Sequence, residues 1–366
     1  MSHTVNTSRH TYREPVIFIV LFVALFGTLA WYMGVRNLVA SATNTAHQLL
    51  LNTVFYIMAV TVLAGALGSL MMEFGVVRLL QVVLSPLMRP LFNLPGVSAL
   101  GALMTFLSDN PAVVSLTNDR HYRAYFTASE LVALMNLGAT FGMGLIVLTY
   151  VYGQSYYLAG SIGFFAALGG GVVSTRLTHF FARRAGADKP ADAALQGDTA
   201  YPDSAPGTAA MRALNSILDG GRKGVETGLA MIPGVLVITT VIMLVTFGPQ
   251  DPVLGYQGRA FEGVPLLPAL ASHCGWLLRA LFGFTHPEAV AFPITSLGSV
   301  AGALTMIPTL AARGSITEND IAVFSAIGIC WSGFVGTHAS MLDAIGFRSL
   351  TVKAMSAHFL GGIRSV

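Results

Sequence analysis

Charge is scarce in this chain. Only 10% of its 366 residues are Asp, Glu, Lys or Arg, while 54% are hydrophobic. So little polar surface cannot cover a globule of this size, which excludes a water-soluble protein and describes an integral membrane one. Cysteine is almost missing: Cys274 and Cys330 stand far apart, so neither a disulfide framework nor a thiolate metal cage is indicated. There is no Walker A sequence, so ATP hydrolysis does not power this chain. The formal net charge of +3 provides no basic face for nucleic acid.

What the chain has is long apolar runs. Stretches of about 20 residues, enough to cross a hydrocarbon core of about 30 Å, occupy 15–33, 48–71, 130–150, 156–177, 224–247 and 320–345. The first follows Arg9 and Arg13 with no small-residue cleavage site after it, so it reads as a retained signal anchor. Residues 74–92 and 267–282 carry arginines among apolar residues at helical spacing, which predicts helices lying along the interface. Behind each comes an apolar stretch too interrupted to cross. Residues 95–107 reach roughly 20 Å as a helix, short of the core thickness. Asp109-Asn110-Pro111 then breaks that helix, and 112–116 starts a second arm; Pro293 and Gly298-Ser299 interrupt the equivalent stretch of the second half. Both predict re-entrant hairpins, whose irregular backbone is tolerated at membrane depth only where protein or a polar cavity satisfies it.

The two halves repeat each other at a fixed offset. Leu87-Met88-Arg89-Pro90-Leu91-Phe92 returns 190 residues later as Leu277-Leu278-Arg279-Ala280-Leu281-Phe282, and Phe126–Leu131 returns at the same offset as Ile316–Ile321. Duplicated hydrophobic units around interrupted segments point to a transporter-type site at the interface of two repeats. The domain reading is an N-terminal tail and anchor helix over 1–47, repeat one over 48–183, a linker over 184–223 and repeat two over 224–366. Residues 184–211, punctuated by Pro and Gly, predict a polar linker without fixed structure. Placing the linker in the cytoplasm puts most Lys and Arg there and leaves Arg36, Arg259, Arg279 and Arg313 outside, in accord with the positive-inside rule. The crossings at 48–71, 130–150 and 156–177 are odd in number, so the second repeat is inverted. Residues 351–363 occupy the place of the 156–177 span but are too short to cross.

Several polar residues fall inside apolar stretches. A carboxylate at bilayer depth costs about 2.5–3.5 kcal/mol on insertion scales, so Asp109 should face a cavity or a partner. Ser108, Asp109 or Asn110 could equally be the N-cap of a short helix with Pro111 in its first turn. The two readings coexist, since a half-helix N-terminus offers unpaired N–H groups to a ligand. Thr295, Ser296 and Ser299 hold the equivalent region of the second hairpin, although hydroxyls in membrane helices often bond the carbonyl four residues earlier. The spans after the hairpins carry Asn136, Thr140 and Phe141 in one half and Trp331, Ser332 and His338 in the other, each set among close-spaced glycines. Those glycines serve tight helix packing, or with these polar groups they unwind the helix around a ligand. Thr127…Glu130 and Thr317…Asp320 read as capping boxes rather than catalytic carboxylates, and Glu288 after Pro287 suits a helix first turn. His338, Ser340 and Asp343 lie too near one another on one helix to form a triad, so enzyme chemistry is not expected.

Leu87–Phe92 with Leu94-Pro95-Gly96, the break at Asp109-Asn110-Pro111 and the helix start at Thr127–Leu131 resemble the Gate-domain, or nucleoside-recognition-domain, membrane proteins. That group includes gate regions of ferrous-iron permeases, concentrative nucleoside transporters, spore maturation membrane proteins and other bacterial inner-membrane proteins. The resemblance covers roughly 48–345. It implies an all-α polytopic fold of two inverted repeats, each with an interfacial helix, a re-entrant helical hairpin and a broken transmembrane helix. It also implies a solute site between hairpin tips and broken helices. The site residues expected on this reading are Ser108, Asp109, Asn110, Asn136, Thr140, Thr295, Ser296, Ser299, Trp331 and Ser332. The chain departs from the group in lacking a GTPase domain and tip glutamates. The expected function is a secondary transporter or permease of a small polar solute, nucleoside-like or another organic solute, coupled to H⁺ or Na⁺ and with no organic cofactor or metal site. The expected setting is the bacterial inner membrane, multi-pass, with a cytoplasmic N-terminus; a homo-oligomer stays open. The alternatives are a non-transporting assembly or sensing protein and a divalent-metal permease with Cys330 as a soft ligand.

Overall fold

The computed structural model describes residues 13–108, 110, 112–118, 120–187, 207–332, 334 and 336–366, and its regular structure there is helical. Helix α1 (Arg13–Met33) is a 21-residue apolar helix with little of its surface buried, as a lipid-facing anchor would be. Gly34, in the left-handed region at φ +77°, turns the chain into α2 (Val35–Gln48). A π-helical turn at Leu49–Val54 joins α2 to α3 (Phe55–Glu73), so Val35–Glu73 runs as one 39-residue helix. The expected span at 48–71 is therefore longer at its N-terminal end. Residues 35–47 are too polar to read as membrane-buried, and their polar face explains the extension. Asn37 Nδ2 donates to the Tyr256 carbonyl at 2.9 Å, Asn44 Nδ2 to that of Gly258 at 2.8 Å, and Thr45 Oγ1 accepts the Phe261 N–H at 2.8 Å. Glu262, fully buried, accepts N–H bonds from Gln257 at 2.9 Å and Arg259 at 3.0 Å and closes this loop on itself.

The first repeat continues with α4 (Val76–Phe92), α5 (Ser98–Leu107), α6 (Ala112–Thr117) and α7 (Arg120–Arg123). It ends with α8 (Ala128–Phe141), α9 (Gly144–Gly153) and α10 (Tyr157–Arg184). The second repeat opens with α11 (Ala209–Gly234), a second π-helical turn at Val235–Thr239 and α12 (Thr240–Thr246), together a 38-residue helix. Helix α11 starts inside the stretch read as linker, and Arg212 reaches Glu73 at 3.4 Å across the helix pair. The rest of the linker, 188–206, lies outside the described residues. Then come α13 (Leu266–His273), α14 (Gly275–Phe282), a 3₁₀ turn at Pro287–Val290, α15 (Ala291–Gly298), α16 (Val300–Leu304) and α17 (Met306–Ala312). The chain finishes with α18 (Glu318–Cys330), α19 (Gly336–Ala344) and α20 (Thr351–Arg364).

This is the all-α polytopic membrane fold of two inverted repeats expected above, with an interfacial helix, a hairpin and a broken helix in each. Five helices are long and apolar enough to cross a membrane, namely Arg13–Met33, Val35–Glu73, Ala128–Gly153, Tyr157–Arg184 and Ala209–Thr246. The interfacial helix expected over 267–282 is instead two helices, broken at Cys274 (φ −114°, ψ 25°), where Gly275 weakens the ladder. Both expected capping boxes form: Thr127 with Glu130, and Thr317 with Asp320. Asn93 and Gly283, 190 residues apart, end α4 and α14 in the same left-handed conformation, with N–H bonds back to Arg89 and Arg279. Glu288 falls in the first turn after Pro287.

The repeats are joined along α3 and α11. Thr61 Oγ1 donates to the Gly224 carbonyl at 2.8 Å, and a Cβ on Gly65 would lie 2.5 Å from the Gly220 carbonyl oxygen. Such close backbone contact is what small residues permit in a membrane. Helix α8 is the central pole: all of its residues are buried, and its polar members Glu130, Asn136 and Thr140 are hydrogen-bonded there. The C-terminal helix α20 is 14 residues long and lies against α10, where Gly170 and Gly361 meet.

Candidate functional site

Helix α8 stops at Phe141 and the chain resumes as α9 at Gly144, leaving a break at Gly142 and Met143. Its last carbonyls have no partner within the helix. They find one in the other repeat. Ser332, in the break between α18 and α19, donates its hydroxyl to the Ala139 carbonyl at 2.7 Å, with the Thr140 carbonyl at 3.3 Å. The first hairpin tip joins at this point: Asn110 Nδ2 donates to the Ser332 carbonyl at 3.2 Å, and Asn110 Oδ1 lies 3.3 Å from the Ser332 hydroxyl. A side chain at position 142 would overlap Asn110, so the glycine is what lets the tip reach the break. The second hairpin approaches from the other side, where Ala301 packs with Val54 and Val235 against Met143.

Asn110 and Ser332 are thus the expected site residues that the structure brings together. Asp109 lies outside the described residues. Ser108 lines a cavity of about 20 Å³, room for about one water, shared with Thr61, Gly65, Lys223 and Thr227. Thr295 and Ser296 bond the Ala291 and Phe292 carbonyls four residues back, at 2.7 and 2.9 Å. Ser299 caps α16 by accepting the Gly302 N–H at 3.0 Å. Trp331 faces α20 and stacks on Phe359 at 5.3 Å with planes 9° apart. Asn136 and Thr140 point away from the tips. Asn136 Nδ2 donates to Thr178 Oγ1 at 2.6 Å and to the Ala354 carbonyl at 3.2 Å, and its Oδ1 accepts from Ser174. Thr140 Oγ1 donates to the Asn136 carbonyl at 3.0 Å and lies 3.5 Å from His358 Nδ1.

Of that second polar cluster, on α8, α10 and α20, the α8 members Asn136 and Thr140 were expected from sequence, and the members on α10 and α20 were not. Its signal was present. Ser174, Thr175, Thr178 and His179 recur at i and i+4 in an otherwise apolar span, and intramembrane polar residues of this kind mark paths or sites. Below it, Asn93 Nδ2 and His179 Nδ1 meet at 2.8 Å, and Arg176 donates to the Pro90 and Leu91 carbonyls at the end of α4. Among the described residues no three His, Cys, Asp or Glu gather as a metal group, and the Cys330 thiol is engaged with the Ala167 carbonyl at 3.5 Å.

No family model matches the chain. A stretch of 90 residues is 29% identical to an uncharacterized protein of Alkalihalophilus pseudofirmus, covering 24% of this chain and 19% of that one. Another of 51 residues is 45% identical to the sporulation integral membrane protein YlbJ of Bacillus subtilis, covering 14% of this chain and 12% of that one. The chain therefore spans less than a fifth of the length of the curated relatives it matches. Among solved structures it is similar to the nucleoside transporter CNTnw in an inward-facing substrate-bound state. The TM-score there is 0.54 at 15% identity, over 99% of this chain and 86% of that one. A substituted CNTnw in an outward-facing state gives a TM-score of 0.54 at 16% identity, over 99% of this chain and 85% of that one. The chain shares the fold of that transporter, and together with the YlbJ segment this bears out the resemblance to the nucleoside-recognition-domain membrane proteins.

Proposed function

We propose that the protein is a secondary transporter or permease of a small polar solute, nucleoside-like or another organic solute, driven by H⁺ or Na⁺. The observation that supports this most directly is the junction of Asn110, Ser332 and the end of α8. A hairpin tip of one repeat and the helix break of the other are held together by weak, exchangeable hydrogen bonds. A solute with amide, hydroxyl or ring-nitrogen groups can replace these bonds one for one. Carbonyls freed at the break of α8 and the amide of Asn110 then become its contacts, and the remaining expected residues of both tips complete the site. Alternating access follows from moving one hairpin away from the pole formed by α8. The fold shared with a transporter supports the reading, as does the inner-membrane topology inferred from the arginine asymmetry.

The test is a thermal-shift screen of the purified protein against nucleosides, nucleobases, amino acids, organic acids and divalent metals, followed by uptake of the hit into proteoliposomes. A solute at about 100 times its Kd should stabilise the fold by about 2.7 kcal/mol. Asn110→Ala should abolish that shift while the protein still inserts and folds. A hit that stabilises the Asn110→Ala protein equally would remove the junction from the site. External labelling of a tag at Gly197 or Ala209 in intact cells would overturn the cytoplasmic placement of the linker. The second reading, a non-transporting membrane assembly protein, is favoured by the 45% identity with YlbJ over 51 residues. It predicts no shift and no uptake with any solute.

A further inference from the structure

Two histidines meet at a place that the proposed solute site does not use. His338 stands in the first turn of α19, just past the second helix break, and His358 lies in α20; both are buried. Their rings approach edge to face, with centroids 5.0 Å apart and planes 71° apart. His358 Nδ1 lies 3.4 Å from Ser174 Oγ and 3.5 Å from Thr140 Oγ1, at the long limit of hydrogen bonding. The other three ring nitrogens, His358 Nε2 and both of His338, have no hydrogen-bond partner among the described residues. A neutral imidazole carries one N–H donor and one lone-pair nitrogen. Whichever tautomers are present, the N–H of His338 is buried and unmatched, which costs stability that an apolar residue of similar size would not. Packing therefore does not account for the pair.

The elements around the pair present it with hydroxyls, an amide and aromatic faces. Thr140 of α8 and Ser174 of α10 lie against His358, with Asn136 and Thr178 bonded behind them. Phe334 stacks on His358 at 5.7 Å with planes 29° apart. Cys330 of α18 is bonded to the Ala167 carbonyl. The charged side chains of these elements are engaged or turned outwards among the described residues. Glu130 and Asp320 sit in their capping boxes. Arg176 holds the end of α4. Arg183, Arg184, Glu318, Asp343, Arg348, Lys353 and Arg364 are on exposed positions. Among the described residues no fixed counter-ion faces the pair.

We propose that His338 and His358 form the proton-binding site that couples transport to a proton gradient. This rests on the transporter reading and supplies its driving ion. One proton from water adds to a lone-pair nitrogen of one imidazole, and the imidazolium formed donates N–H to the lone pair of the other. The edge-to-face rings must turn to make that bond, so α19 shifts against α20. Helix α19 is the far arm of the break that carries Ser332, and Trp331 and Phe334 of the same break stack on Phe359 and His358 of α20. Protonation is therefore felt where Ser332 meets Asn110 and the end of α8. When the proton leaves, the neutral pair returns to its edge-to-face packing. The cluster of Ser174, Asn136 and Thr178, continued by His179 against Asn93, forms a polar flank along α10 towards its last turn.

Two measurements test this. Histidine-selective ¹⁵N NMR of the full chain in nanodiscs should show one of the two buried imidazoles taking up a proton as the pH is lowered. In His338→Gln the signal of His358 should move in midpoint by about one pH unit or more. In proteoliposomes, uptake of radiolabelled uridine under an inward-acid gradient should fall at least tenfold in His338→Gln and His358→Gln. Exchange of uridine without a gradient should persist, which also shows that the variants fold. If both imidazoles stay neutral from about pH 4.5 to 9, the proposal is wrong. It is equally wrong if the variants keep their dependence on the gradient. If uridine is not carried by the parent protein, the solute assignment fails, and the NMR titration still decides the proton site.

Discussion

In the first repeat the broken helix opens over two residues, Gly142 and Met143, and its second arm of 10 residues leads into the 28-residue α10. In the second repeat the break begins at Trp331, the second arm has 9 residues, and the helix that follows is α20, with 14. Around these breaks the repeats differ, whereas several devices elsewhere coincide. Left-handed caps fall at Asn93 and Gly283, capping boxes at Thr127 and Thr317, and a π turn within each long helix. The coincidences are backbone devices that any solute would require. The differences put Ser332, His338 and His358 on one side only. A duplicated scaffold has thus been specialised by side chains at one break and by shortening one helix until it lies against α10.

The largest effect should come from the shared scaffold. A Leu at Gly65 or at Gly220 would push its side chain into the backbone of the opposite helix, because each glycine abuts the other's carbonyl. Overpacking a fitted contact costs about 1–3 kcal/mol, and here the obstacle is backbone on both sides, so the upper end applies. Gly65→Leu and Gly220→Leu should lower detergent melting temperatures by similar amounts. A marked difference between them would show that α3 and α11 do not play equal parts.

Next in size come two serines of the second repeat, Ser332 at its helix break and Ser299 at its hairpin tip, whose substitutions should diverge. Ser332→Ala withdraws the donor from the buried end of α8 and leaves its carbonyls unpaired, at about 1–3 kcal/mol. Ser299→Ala removes an N-cap, at about 1 kcal/mol. Both lower stability, but Ser332→Ala should also alter the solute response in the thermal-shift screen by loosening Asn110. Equal and purely structural effects would mean that Ser332 takes no part in the solute response.

Much of this architecture was legible from residue order because it rests on local rules. The 190-residue offset, the hairpin breaks at Asn110 and Gly298-Ser299, the helix breaks and both capping boxes follow from turn chemistry, glycine and apolar spacing. The polar ends of the long helices were hidden. Asn37, Asn44 and Thr45 look like loop residues until the loop they hold, at 256–261, is folded over them. The roles of Asn136 and Thr140 were hidden as well, since their partners Thr178 and Ala354 lie 42 and 218 residues from Asn136 in sequence. His338 read as an incidental member of a false triad, because its companion His358 sits in a helix whose placement required the whole bundle.

The smallest effect separates the two capping boxes. Thr127→Ala and Thr317→Ala should each cost about 1 kcal/mol, since each threonine accepts the N–H three residues on. The carboxylates differ in their second partner. Glu130 also meets Arg89 at 2.7 Å, but that arginine is 60% exposed, and screening holds such pairs below about 1 kcal/mol. Asp320 Oδ2 accepts the Thr317 N–H at 2.7 Å, while its Oδ1 is buried without a partner among the described residues. Asp320→Asn turns that unmatched acceptor into one end of a neutral amide, and the unpaired anionic oxygen it removes was costly. Glu130→Gln should therefore destabilise slightly more than Asp320→Asn, by a few tenths of a kcal/mol. High salt should erase the difference by screening the Arg89 pair. A larger loss at Asp320 that salt does not change would place a cation beside that oxygen and break the equivalence of the two boxes.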